Sequence, residues 1–144
     1  MQNDPTYEIR NAIKTALDGN LSYLGRKYGV MLYEKLQKGD YYVRIKYPSL
    51  IDNSETKDSY LMIGNIDIEV VNQRYMSQNT SEVEMVDIVN DINQLIVHQN
   101  LSMTGFVFCV QPFVTSYNTQ EELMQNEQSE IKKIINYQFI IQQS

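Results

Sequence analysis

The stretch NIDIEVVNQRYMSQNTSEVEMVDIVNDINQLIVHQ, Asn65 to Gln99, changes its hydrophobic period in mid-course. Ile66, Ile68 and Val70 alternate with Asn65, Asp67 and Glu69, the period of two that a half-buried strand requires. A strand is predicted over Leu61 to Gln73, apolar side toward a core and polar side away, so its sheet has one wet face. Past Ser81 the period becomes helical. Ser81 and Glu84 form a capping box, and Met85, Ile88, Val89, Ile92, Leu95 and Ile96 make one apolar stripe. Asp87, Asn90, Asp91, Asn93 and Gln94 make the polar face of a helix predicted over Glu82 to Gln99.

Working outward, Asp4-Pro5 opens a second amphipathic helix, predicted over Pro5 to Asp18. Asp suits the cap, and Pro suits the first helical position. Ile9, Ala12, Ile13, Ala16 and Leu17 share one stripe, Arg10, Lys14 and Thr15 take the other side, and Gly19 permits a left-handed stop. Residues 20–29 read as a connection. Val30 to Leu36 reads as a short strand and Gly39-Asp40 as a turn. Tyr41 to Tyr47 alternates as a half-buried strand that Pro48 ends, so Val30 to Tyr47 is expected to be a β-hairpin. Pro48 to Ser59 reads as a long polar connection. Phe106 to Val114 is a strand whose Pro112 argues for an edge or a bulge, Thr115 to Gln128 is a polar loop or a helical turn, and Lys133 to Gln142 is the last strand. The expected fold is one α+β domain spanning residues 1–144, with two helices on one face of a mostly antiparallel sheet of four to five strands.

Composition bounds the function. The 144 residues suit one domain able to bury its own core, with 42% apolar and 21% charged residues. The apolar runs are too short to cross a bilayer, Met1 to Thr6 lacks the apolar core of a signal peptide, and a lone Cys109 excludes an internal disulfide, so a cytosolic chain is expected. Net charge is -6, and residues 75–131 hold eight acids with no Lys or Arg, while the rest carries twelve bases against ten acids. A nucleic-acid binder needs a basic stripe to neutralise phosphates, and there is none. The acids read as a solvated face, or as the wall of a channel along which DNA slides without sticking.

Chemistry-bearing groups are sparse. His98 is the only histidine, so His-based zinc sites are excluded, and its place near a helix end suits a structural role. Cys109, between Phe108 and Val110, reads as a buried inert thiol without a base to activate it. Gly25, Gly29 and Gly39 match neither nucleotide-binding fingerprint. Asp67 and Glu69 share a strand face and have no accompanying ligand set, which reads as a solvated face. Eleven tyrosines stand beside no tryptophan. Tyr41, Tyr42 and Tyr47 on one strand are either ordinary sheet residues or part of an interface. No catalytic residue, metal or cofactor is expected.

The element order resembles that of phage tail-completion proteins, also called tail-terminator or neck proteins. The resemblance is carried by the leading helix, the Asp40-Tyr41-Tyr42-Val43 strand opening and Asn65-Ile66-Asp67-Ile68-Glu69-Val70. It continues through the polar Asn72-to-Ser81 passage into the long helix, the Phe106 strand and Tyr137-Gln138-Phe139-Ile140-Ile141. The Thr115-to-Gln128 segment departs from that layout. The resemblance implies a non-enzymatic virion protein assembled in the host cytoplasm. It would form a homo-oligomeric ring at the head–tail junction or the tail end, joined to other neck, portal or tail proteins, with DNA passing through but not specifically bound. On that reading Asp52, Asn53, Glu55, Lys57, Tyr117, Glu121 and Glu122 are the candidate inter-subunit contacts, and Asp67 and Glu69 the candidate channel-facing residues. The alternative is a small non-catalytic adaptor that binds one protein partner.

Overall fold

The computed structural model describes residues 3–32, 41–52, 61–75, 81–97, 100–123 and 128–144. Helix α1 runs Thr6–Leu17. Asp4 Oδ1 accepts the Thr6 backbone N–H at 2.9 Å and the Thr6 hydroxyl at 2.6 Å, and these donors hold the Asp4 carboxyl below its usual range. Pro5 stands at the cap position, and its carbonyl accepts the Ile9 N–H at 2.9 Å. Ile9, Ile13 and Leu17 are fully buried, as their spacing requires. Arg10, expected on the wet side, is only 6% exposed. Its guanidinium donates to the carbonyls of Leu32 and Ile45 and lies 3.9 Å from the centre of the Tyr47 ring. Backbone acceptors supplied by residues distant in sequence take its terminal N–H groups, while its buried Nε has no hydrogen-bond partner among the described residues.

Eight strands are present among the described residues, more than the four to five expected: β1 (Ser22–Tyr23), β2 (Arg26–Lys27), β3 (Gly29–Met31), β4 (Tyr41–Ile45), β5 (Ser49–Asp52), β6 (Leu61–Tyr75), β7 (Phe106–Leu123) and β8 (Gln128–Gln143). β1 and β2 form a hairpin of their own within the stretch expected to be a connection, turned by Leu24 at φ 48° and Gly25 at φ 84°. The rest form one six-stranded sheet in the order β3-β4-β6-β8-β7, with β5 also paired to β6. All its pairings are antiparallel except β3 with β4, which runs parallel with Val30 beside Val43.

That parallel pair corrects the hairpin expected over Val30 to Tyr47. A tight turn can only produce antiparallel neighbours, whereas a parallel pair needs a connection that returns the chain to the strand's start. The expected Gly39-Asp40 turn lies outside the described residues. Pro48 does end β4, but the polar connection expected from Pro48 to Ser59 begins with a strand. β5 resumes pairing on the same edge of β6, Ser49 opposite Asn65, just below where β4 leaves off at Ile45 opposite Ile68. Thr115 to Leu123 is likewise strand, paired with β8 down to Leu123 opposite Ser129. Residues 115–122 are exposed, so neither face imposes an apolar period and the stretch resembles a loop in sequence. Pro112 meets both of its expectations: β7 is an edge strand, and its register shifts between Val110 and Phe113.

Helix α2 runs Ser81–Val97 and, with α1, covers one face of the sheet. Met85, Ile88, Ile92 and Ile96 pack with Ile9, Ile13 and Leu17 against Val43, Ile45, Ile66, Ile68, Val70, Ile135, Tyr137, Phe139 and Ile141. Gly64 stands opposite Phe139; a Cβ there would collide with the Phe139 ring and lie 2.9 Å from Leu50. Among the described residues the other face of the sheet carries no helix, and it positions the candidate site.

Candidate assembly surface

On the helix-free face, register sets side chains in rows. Arg44 of β4 stands opposite Glu69 of β6, and Asp67 of β6 stands opposite Asn136 of β8. The Glu69 carboxylate lies 3.8 Å from Arg44 and 3.6 Å from Lys46, and Asp67 accepts from the Asn136 amide at 2.7 Å. Glu130 and Lys132 approach to 3.4 Å. Glu69 is only 5% exposed, so it is not the solvated acid expected from its alternation: two cations cover and neutralise it. Burial opposes the charge of Lys132, yet Glu130 and Glu69 outweigh it and hold the ammonium above its usual range. Burial, reinforced by Glu130, also pushes the Tyr42 hydroxyl up. This half of the face is a lattice of paired charges, in which the buried Arg44 Nε has no hydrogen-bond partner among the described residues.

The other half is apolar. Ile51 of β5, Ile63 of β6, Ile140 of β8 and Val110 of β7 stand opposite one another in a row across four strands. Val107 and Phe113 occupy the flanking outer positions of β7. Ile51 is 63% exposed and Phe113 42%. An apolar row on the uncovered face of a sheet is a candidate contact surface. Sequence reading passed over it, although a signal existed: Ile63 and Ile140 fall on the phase opposite to the core-facing residues of their strands.

The candidate contact residues do not form one cluster. Asn53, Glu55 and Lys57 lie outside the described residues, as does His98. Asp52 ends β5 on one edge of the sheet, while Tyr117, Glu121 and Glu122 stand exposed on β7 at the opposite edge. Tyr117 faces the helix side, its hydroxyl accepting from Asn93 at 2.9 Å, and the same Asn93 accepts the hydroxyl of buried Tyr137. Of the three strand tyrosines, Tyr42 is buried, Tyr41 half-buried and Tyr47 exposed beneath Arg10.

Two further residues depart from expectation. Cys109 is exposed, its Sγ 3.7 Å from Gln142 Oε1, because it sits at the register shift between Phe108 and Val110 on an edge strand. Glu84, counted with the solvated acids, is completely buried. It receives Arg26 on one oxygen, and Tyr28 and the Asn72 amide (2.8 Å) on the other. Arg26 also reaches the Tyr41 hydroxyl at 3.2 Å and stands 4.9 Å from that ring. Burial works against the Arg26 charge, but Glu84 and Tyr41 outweigh it and hold the guanidinium above its usual range. The network fastens the β1–β2 hairpin to the start of α2 and to β6. It braces these elements from within. Among the described residues no group of three or more His, Cys, Asp or Glu is placed to hold a metal ion.

No protein-family model matches this sequence, and no curated protein does. Among solved structures, a chain described as "Virion of native gene transfer agent (GTA) particle" matches over 92% of this chain and 95% of its own length. Its TM-score is 0.64 and its identity 12%. The fold is one used inside a virion. At that identity the likeness is one of architecture: the α+β layout recurs almost end to end, while nearly nine aligned residues in ten differ.

Proposed function

We propose that this chain is a structural virion protein of a phage-like particle. It forms a ring at the head–tail junction or tail end, where it joins or terminates the tail and leaves a channel for DNA. The observation that carries this reading is the likeness of fold, over nearly its whole length, to a chain of the gene transfer agent virion. The physical features are in keeping with it. A ring subunit needs a rigid core, and the buried layer between helices and sheet supplies one. It also needs surfaces left open for neighbours, and the apolar half of the bare sheet face is such a surface. Its partners are copies of itself and adjoining neck, portal or tail proteins. DNA passes without specific contact, because Arg44 and Lys46 of the bare face are engaged by Glu69 and are not free to neutralise phosphates. With Asp67 and Glu69 toward the channel, the wall is near neutral, since Arg44, Lys46 and Asn136 already engage both carboxylates.

The test is native mass across a concentration series, with negative-stain images of the same samples. Closed rings are expected. A monomer at every concentration overturns the ring and puts a one-partner adaptor in its place. Within a ring, deleting Asn53 to Lys57 is expected to spare folding and weaken assembly. Unchanged assembly would remove that segment from the contact.

A further inference from the structure

The two edges of the six-stranded sheet carry opposite charge. One edge is β7, whose outer flank bears no strand among the described residues. Exposed sheet edges are normally blunted by lysines, prolines or bulges. In β7 the register shifts and Pro112 all precede Ser116; from there to Leu123 the pairing with β8 is unbroken, and no Lys or Arg occurs. Glu121 and Glu122 are exposed on this half. With Gln120, Glu130 and Lys132 they line a cavity of about 270 Å³. Glu130 and Lys132 pair with each other, so the cavity keeps the negative charge of Glu122; Glu121, one residue along the strand, carries its charge on the opposite face of the same edge.

Among the described residues the opposite edge is β3, entered from β2 through Tyr28. Its neighbourhood is basic. Residues 22–32 and 41–46, the described part of this flank, contain Arg26, Lys27, Arg44 and Lys46 and no acid; Arg26 pairs with Glu84, and Arg44 and Lys46 share the single carboxylate of Glu69, so the flank keeps a positive balance in which Lys27 is the exposed charge. Lys27 is exposed, and Arg44 sits beside Met31 of β3 in register. Complementary charge on the two opposite edges of one sheet favours head-to-tail contact and disfavours like-to-like contact.

We infer that the acidic end of β7 in one copy docks on the basic β2–β3 edge of a second copy, extending the sheet from subunit to subunit. Pairing along an open edge supplies main-chain hydrogen bonds, and the charges set direction and register. Such a contact uses two different patches on each subunit, so it repeats from copy to copy and makes a ring when the rotation between copies closes. The inference rests on the ring reading above and names its interface.

The experiment measures self-association of the full chain by sedimentation, with thermal melts to check folding. Glu121→Lys/Glu122→Lys reverses the acidic edge; Lys27→Glu reverses the basic one, and Lys46→Gln supplements it without repelling Glu69. Each edge variant is expected to raise the self-dissociation constant at least about tenfold, and high salt to weaken the native contact in the same direction. An equimolar mixture of Glu121→Lys/Glu122→Lys with Lys27→Glu is expected to associate again, because each altered edge meets a complementary one. Charge reversals that leave native assembly unchanged, or a mixture that stays apart, overturn the docking mode while the ring stands. A native chain that never self-associates overturns the ring itself.

Discussion

The two faces of the six-stranded sheet are built from the same strands and obey different rules. On the helix side, Ile66, Ile68, Ile135, Phe139 and their neighbours are stabilised by removal from water, and each contact serves the fold. On the bare side, Glu69 is as dry as a core residue but is held by Arg44 and Lys46, and Ile51 and Phe113 remain in water. One face therefore has finished its contacts within the monomer. The other leaves apolar side chains in water. The difference shows that burial in this protein has two sources, apolar exclusion and charge pairing, and that only the first leaves a periodic trace.

Substitutions can break this comparison or sharpen it. Phe139→Ala, on the covered face, is expected to cost about 3–5 kcal/mol in urea unfolding, because it opens a cavity over Gly64. A loss under about 1 kcal/mol would show that the covered face is not tightly packed there. Glu84→Ala tests the charge-held interior. It leaves the Tyr28 hydroxyl and Asn72 amide without this acceptor and Arg26 without its counter-ion. Arg26 is 39% exposed and keeps water, so the expected loss is about 2 kcal/mol, read from the same unfolding curves.

Tyr137 offers a comparison by pH. Burial, with Tyr117 adding to it, pushes this hydroxyl above its ordinary value of 10.0. A group whose folded value is raised contributes stability that is complete below its unfolded value and is lost as pH rises toward the folded one. Melting temperatures should therefore fall as pH climbs beyond about 10, and Tyr137→Phe should flatten that part of the decline. The smallest monomer effect is expected on the bare face. Val110→Ser with Ile51→Ser should change unfolding by under about 0.5 kcal/mol while weakening assembly in native mass measurements. A large loss of monomer stability would mean that the bare face belongs to the core.

Much of the covered face was legible. The stripe of α2 and the Ile66-Ile68-Val70 alternation lie where their periods place them. α1 keeps its predicted stripe and its Asp4 acceptor, and Pro112 marks both an edge and an irregular register. The bare face and the edges were less legible. β5 begins inside an expected loop because Pro48 interrupts one pairing edge without ending it. The outer half of β7 has both faces in water, so no apolar period distinguishes it from a loop. The contact candidates from Thr115 to Gln128 were placed by polarity alone, and the structure sets the described ones on a paired strand.

The sequence by itself determined the local periods, the helix bounds to within a residue or two, the absence of a long apolar span, and the uneven distribution of acids. Those properties depend on neighbours a few residues away. The tertiary structure alone decided that β3 runs parallel to β4, that Arg10 and Glu84 are buried, that Cys109 is not, and that acidic and basic edges bound the same sheet. Each of these depends on partners far apart in the chain, such as Arg26 with Glu84 or Arg10 with Ile45, whose energy of contact exists only once the layers have closed.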